Sequence, residues 1–200
     1  MGNRGLIVFK DEKIAIYLHW NGGRDSVEAF LEYAKIKRFR SDNYGVARLC
    51  QVIGNYVGGT LSLGLEPIID KHIPNLGDNG AYIVDDFNIT DRLHYENPEQ
   101  NSYSLLDMLI EIDKKQPQEL QLTEGFLRSK EIKYEDLKIG DVVYYYEDGI
   151  YNKHKIIGVG DSDWLNGRNV IGKFYIDRWN SNKAKTNVNN YLLDDKYRVA

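Results

Sequence analysis

The first apolar residues of the chain fall in two short runs, Gly5–Phe9 and Ile14–Trp20, separated by the polar tetrad Lys10-Asp11-Glu12-Lys13. Short β-rich runs around a polar connection read as strands, so the chain opens with a predicted hairpin. After Gly22-Gly23 the spacing changes to a helical one, with Val27, Phe30, Leu31 and Ala34 on one face. Asp25 stands where a cap is expected, and Glu28, three residues on, completes the pattern of a capping box. Lys35, Lys37, Arg38 and Arg40 crowd the far end, where cations suit the helix dipole. A second helix is predicted from Ser41 or Asp42, with Val46, Leu49, Cys50, Ile53 and Val57 as its stripe and Gly58-Gly59 as its stop.

"TLSLGLEP" and "GAYIVDDFNITDRLHY" read as further strands around an irregular stretch, residues 68–79, that ends in the turn Gly77-Asp78-Asn79-Gly80. A third helix is expected from Ser104 to Lys115, carrying Leu105, Met108, Leu109 and Ile112. Ser104 and Asp107 form its capping pair, and Pro117 ends it. From Gln116 to Lys130 the pattern loses its period, which divides the chain into a domain over 1–118, a linker over 119–130 and a second domain over 131–200.

The second domain has a different texture. "YEDLKIGDVVYYYEDGIYNKHKIIGVG" holds a turn at Gly140 and a hairpin signal at Asp148-Gly149 between two β-rich runs. Two more runs, Val170–Trp179 and Tyr191–Val199, complete four or five strands in about 70 residues, the size of a small barrel. "LKIGDVV" resembles the first strand and turn of SH3-like barrels. The fold class expected is therefore α+β: a small antiparallel sheet with about three helices, followed by a small SH3-like β-barrel.

Composition is that of an ordinary globular chain: 42% hydrophobic and 28% charged residues in 200. A net charge of −4 gives no basic footprint of a nucleic-acid binder. Residues 1–128 hold 14 basic and 19 acidic side chains and residues 129–200 hold 12 and 11, which slightly favours the second domain for an acidic partner. Cys50, the single cysteine, excludes an intramolecular disulfide and a cysteine-based zinc cage. With no secretory signal, bilayer-length apolar run or lipidation motif, the expected setting is a reducing cytoplasm without membrane attachment.

The stretch "YLHWNGGRDSVEAF" places a glycine turn between a strand and a helix N-terminus, the arrangement that binds phosphates when backbone donors stay unpaired. His19, Trp20, Asn21, Gly22, Gly23 and Arg24 are the candidate ligand-facing residues. The spacing matches neither the Walker nor the dinucleotide pattern, and Asp25 and Glu28 would occupy the same donors. A turn needing positive φ is sufficient to explain both glycines. An exposed Trp20 would favour stacking on a base; a buried one would anchor the helix.

His19, His72, His94 and His154 show no metal-ligand spacing, and adjacent Asp85 and Asp86, with Asp91, point to opposite faces of a strand; no metal and no cofactor is expected. Cys50 lies in an apolar stripe, where burial raises a thiol's pKa. The favoured contacts are ring-bearing loops of the second domain. Trp164 and Arg168 lie in "GVGDSDWLNGRNV", and Trp179, Lys183 and Lys185 in "DRWNSNKAKTNVNNY". Tyr144-Tyr145-Tyr146 and Tyr151 add amphipathic rings suited to a protein partner.

"YLHWNGGRDSVEAFL", "GTLSLGLEP" and "DNGAYIVDD" resemble small uncharacterised bacteriophage and prophage proteins in which a strand ending in His-Trp-Asn-Gly-Gly leads into a helix. The resemblance covers the first half of the chain and implies a mobile-element gene acting in a bacterial cytoplasm. The expected function is a non-enzymatic binding or inhibitory protein that engages a host protein or defence complex. The alternative is a nucleotide or single-stranded nucleic-acid site at the His19–Gly23 turn, hydrolytic if His19 and Asp85 or Asp86 act as acid and base.

Overall fold

A computed structural model describes residues 2–10, 12–59, 61–132, 136–147, 150–159, 170–171, 174–176 and 197–199. The chain divides into two units, Met1–Gln121 and Leu122–Ala200. Both are mixed or β structures, so α+β content holds for the chain as a whole.

The first unit carries strands β1 (Gly5–Phe9), β2 (Ile14–Leu18), β3 (Leu63–Pro67), β4 (Ala81–Asp85) and β5 (Asn88–Leu93), with helices α1 (Arg24–Ile36), α2 (Asn43–Val57) and α3 (Leu105–Lys114). The sheet order is β3-β2-β1-β4-β5. Its pairings are antiparallel except at the centre, where β4 runs parallel to β1. The small antiparallel sheet expected from the sequence is thus a mixed one. The cause lies in the connection: β1 and β4 are separated by a hairpin, two helices and β3, long enough for the crossover that parallel neighbours require.

Every residue of β1 is buried. Leu6 and Val8 join Ala15 and Ala81 in a cluster covered by Ile68, Ile73 and Leu76, so the irregular stretch after β3 roofs one face of the sheet. Ile7, Ile16, Leu18, Tyr82 and Val84 alternate onto the other face and are equally buried. A strand buried on both faces reads as a continuous apolar run, as "GLIVF" does.

The helices begin and end largely where their sequences say. Asp42 caps α2, its carboxylate accepting from the Tyr44 and Gly45 amides, and Gly58 stops it at φ +64°. Ser104 caps α3 by accepting from the Asp107 amide. α1 departs from expectation: its cap is Gly23, with no side-chain cap bond, and Asp25 sits inside the first turn. Polar clamps tie the helices together. Buried Tyr33 on α1 donates to Asp113 on α3 at 2.7 Å, and buried Gln116 donates to the Val52 and Ile112 carbonyls while accepting from Asn55.

The second unit opens with a short helix, α4 (Glu124–Leu127), inside the segment expected to be a linker. Leu122, Phe126 and Leu127 there are buried because they belong to this unit's core, with Leu137, Val143, Tyr144 and Ile156. Strands β6 (Lys130–Ile132), β7 (Val142–Glu147), β8 (Ile150–Val159), β9 (Val170–Ile171), β10 (Phe174–Ile176) and β11 (Tyr197–Val199) form one sheet in the order β6-β11-β7-β8-β10-β9. Its pairings are antiparallel, and among the described residues no ladder joins β9 to β6 to close a barrel. The Phe126 ring meets Tyr144 edge-on at 5.3 Å and Tyr151 at 4.2 Å.

Two buried tyrosines of the first unit make a contrasting pair. The Tyr82 hydroxyl, buried with no hydrogen-bond partner among the described residues, has its pKa pushed up to about 12 by burial. Tyr33→Phe strips a donor from buried Asp113 and is expected to destabilise by about 1–3 kcal/mol, whereas Tyr82→Phe removes an unsatisfied group and is expected to be neutral or stabilising. Denaturant melts of the two variants check this; equal losses would contradict it.

Candidate functional site

The chain leaves β2 at His19, turns through Trp20 and Asn21, and enters α1 at Arg24. Asn21, not a glycine, takes the left-handed conformation there, at φ +60°, while the positive-φ glycines lie elsewhere in the chain. Asn tolerates that region better than other side-chain-bearing residues. Gly22 is required for a different reason. A Cβ on it would stand 2.4 Å from the Gly5 nitrogen and 2.5 Å from the Arg4 carbonyl carbon, because the two backbones touch. At Gly23 a Cβ would meet side-chain atoms and no main chain, Gln100 Oε1 at 2.8 Å and Asp25 Oδ1 at 3.1 Å.

The donors of this turn are used internally, chiefly by carbonyls. Gly22 N–H donates to Asn3 C=O at 2.8 Å and Asp25 N–H to Gln100 C=O at 3.1 Å. The buried Asp25 carboxylate accepts from the Ser26 amide at 2.7 Å and from the Ser102 and Tyr103 amides at 2.9 and 3.3 Å, binding the approach to α3 onto the first turn of α1. Glu28 does not reach back to the cap; it faces Arg24, whose guanidinium also pairs with Glu99 at 2.9 Å. The capping box fails because glycine supplies the cap geometry and Asp25 has a longer-range task.

Trp20 lies 47% exposed beside this anchored turn. Its indole packs edge-on against His19, centroids 5.2 Å apart, and His19 Nδ1 lies 2.9 Å from the Tyr17 hydroxyl. The exposed ring is therefore backed by a fixed stack. Trp20 and Asn21 line a groove of about 410 Å³ with Tyr56 and Val57 at the end of α2, and Ser62 before β3. Glu111 and Lys115 supply its charged side. Glu111 is held by Lys114 at 3.0 Å, and Lys115 makes no ion pair among the described residues. Tyr56 packs on Phe30 at 5.3 Å, and burial raises its hydroxyl pKa, with Glu111 adding to the effect. Gly22 and Gly23 are buried and Arg24 is tied to Glu28 and Glu99, so only Trp20 and Asn21 of the sequence candidates line this groove. Tyr56, Ser62, Glu111 and Lys115 were not legible as site residues, since they meet only after three distant segments are folded together.

The other candidates stay apart. His19 borders Asn3 at one end of β1, while Asp85 pairs with Lys10 at the other, at 3.4 Å. At roughly 3.3 Å per residue the two are about 20 Å apart, and the acid/base pairing of His19 with Asp85 or Asp86 is not assembled. Among the described residues no cluster of three or more His, Cys, Asp or Glu is placed to hold a metal. Cys50 is half-buried on α2, with its thiol pKa raised by burial. The basic residues at the end of α1 and beyond it are engaged internally: Lys35 pairs with Glu32, Arg40 with Asp42, and Lys37 donates to the Leu120 carbonyl. Trp164, Arg168, Trp179, Lys183 and Lys185 lie outside the described residues. No helix among the described residues is long and apolar enough to cross a membrane.

Compared with known families, curated proteins and solved structures, the chain matches none.

The backbone contact at Gly22 makes a direct prediction. Gly22→Ala drives a methyl into main-chain atoms and is expected to cost about 3 kcal/mol or more, above the usual overpacking range, while Gly23→Ala meets only side-chain oxygens, of Gln100 and Asp25, which need give by a few tenths of an ångström, and is expected to cost about 1 kcal/mol. Thermal melts of the two variants give the comparison; a milder effect at position 22 than at position 23 would contradict the contact.

Proposed function

We propose that the chain is a non-enzymatic binding or inhibitory protein of phage or mobile-element origin that engages a host protein or defence complex in the bacterial cytoplasm. The observation that carries this reading is Trp20: a large amphipathic ring, half-exposed, backed by His19 and set at the lip of a groove. Fixed aromatic residues beside a partly apolar recess with a charged border are the usual anchors of protein interfaces. The first unit thus contributes Trp20 and Asn21 to partner contact. The second unit, read as a small SH3-like barrel, contributes Trp164, Arg168, Trp179, Lys183 and Lys185. The host setting rests on the resemblance of "YLHWNGGRDSVEAFL" to phage and prophage proteins.

A second reading is favoured by Lys115. A cation with no ion pair among the described residues, in the same groove as an exposed indole, suits a nucleotide or single-stranded nucleic acid that stacks its base on Trp20 and sets a phosphate near Lys115.

The tagged full chain is recovered from host cells as wild type, Trp20→Ala and Tyr44→Ala, Tyr44 being an exposed ring at the start of α2. Loss of a hot-spot tryptophan costs about 2 kcal/mol or more, roughly thirty-fold in affinity. A partner retained by wild type and Tyr44→Ala but lost by Trp20→Ala is expected; identical recovery with all three would contradict the assignment. Thermal shift against nucleotides separates the second reading, because a nucleotide at a hundred times its Kd adds about 2.7 kcal/mol to stability. Stabilisation of wild type but not of Trp20→Ala would replace the protein partner with a nucleotide.

A further inference from the structure

The two edges of the first unit's sheet are finished differently. β5 carries Asn88, Thr90, Asp91 and Arg92, and its pairing with β4 shifts register between Ile83 and Val84. Charged side chains and an irregular register are the usual guards against strand addition. β3, on the opposite edge, reads Leu-Gly-Leu-Glu-Pro, and Leu65 is 61% exposed.

The register tells which backbone groups of β3 point outward. His19 N–H donates to Ser62 C=O at 2.8 Å, and Ile68 N–H to Lys13 C=O at 2.7 Å. Tyr17 lies opposite Gly64 and Ala15 opposite Glu66. In an antiparallel ladder hydrogen-bonded pairs alternate with non-bonded ones, so Ser62, Gly64, Glu66 and Ile68 turn their amides and carbonyls toward β2. Leu63, Leu65 and Pro67 turn theirs away from the sheet. Pro67, which has no N–H, occupies an outward position, where it costs the ladder nothing.

We infer that β3 is a self-association edge, and that its occupant is β3 of a second copy of this chain, running antiparallel about a two-fold axis at Leu65. That arrangement sets Leu65 against Leu65, Leu63 against Pro67 and Gly64 against Glu66. Each Leu65 N–H meets the other Leu65 carbonyl, and each Leu63 N–H meets a Pro67 carbonyl, giving four bonds that use every outward donor of the strand. The one unmatched acceptor on each side is Leu63 C=O, opposite the proline. Charge fits the same axis: each Glu66 faces a glycine, so no carboxylate meets its copy. Leu63, Leu65 and Pro67 share a face with Ile14, itself 45% exposed, and pairing joins these into one apolar strip across the axis. An isologous contact of this kind closes at two copies and leaves the guarded β5 edges outermost. This inference does not depend on the Trp20 groove.

The test uses the full chain in sedimentation equilibrium over a concentration series, with circular dichroism and thermal melts confirming that each variant folds. Wild type is expected to dimerise. Leu65→Arg sets two guanidinium groups against each other on the axis and is expected to weaken the dimer at least tenfold. Leu65→Pro removes the central outward donors while leaving every bond to β2, and is expected to do the same. In a Cys50→Ser background, Leu65→Cys places two thiols on residues about 5.5 Å apart at Cα, within disulfide reach, and oxidation is expected to give a covalent dimer where Tyr44→Cys does not. A monomer at every concentration, or a dimer unaffected by Arg and Pro at position 65 with no cross-link there, would overturn the inference.

Discussion

Two backbones touch where β1 begins: Gly22, in the turn before α1, lies against Arg4 and Gly5 so closely that neither glycine has room for a Cβ. The contact is sealed by the bond from Gly22 N–H to Asn3 C=O, and Asn3 N–H in turn donates to His19 C=O. It fixes the point at which the chain leaves the sheet and thereby the direction of α1. Asp25 extends the lock by holding the Ser102 and Tyr103 amides, which brings the start of α3 to the same place. Three segments distant in sequence are thus joined at one corner, and Trp20 and Asn21, the residues just before it, line the groove.

The same constraint separates what this region does from what its motif suggests. Glycines between a strand and a helix invite a phosphate because donors are left open. Here Gly22 and Asp25 donate to carbonyls of the protein, and a carboxylate already sits inside the first turn. An anion would compete with bonds that hold the fold together. On the proposed reading recognition falls instead to the indole beside the turn, whose position is set by Tyr17 and His19 behind it. Rigid display of one ring lowers the ordering cost of binding, which favours a protein or base surface over a deep ligand cavity.

Much of the first unit could be read from its sequence because local rules and packing agree there. The stripe of α2, its Asp42 cap and Gly58 stop, and the Ser104–Asp107 pair of α3 all appear where spacing places them. "GLIVF" announced a strand, and its lack of alternation was the trace of burial on two faces. Which strand would lie beside it was not legible: the parallel β1–β4 neighbour depends on the long crossover between them, a property of no single segment. Asp25 misled for a similar reason, since a carboxylate one position inside a helix resembles a cap until its partners at Ser102 and Tyr103 are known. Gly22 was read as a turn glycine, yet Asn21 bears the positive φ and Gly22 serves contact. Of the groove, Trp20 and Asn21 were visible and Lys115 was not, because nothing in a linear chain links a tryptophan after β2 to a lysine after α3.

Amide hydrogen exchange tests the central claim most directly. If the Gly22–Gly5 contact locks the corner, the Gly22 and Asp25 amides exchange as slowly as that of Leu6 in β1, whose N–H donates to the Gly80 carbonyl. Exchange at the rate of an exposed loop amide such as that of Gly59 would show that the turn opens freely, and the account of a fixed corner displaying Trp20 would be wrong.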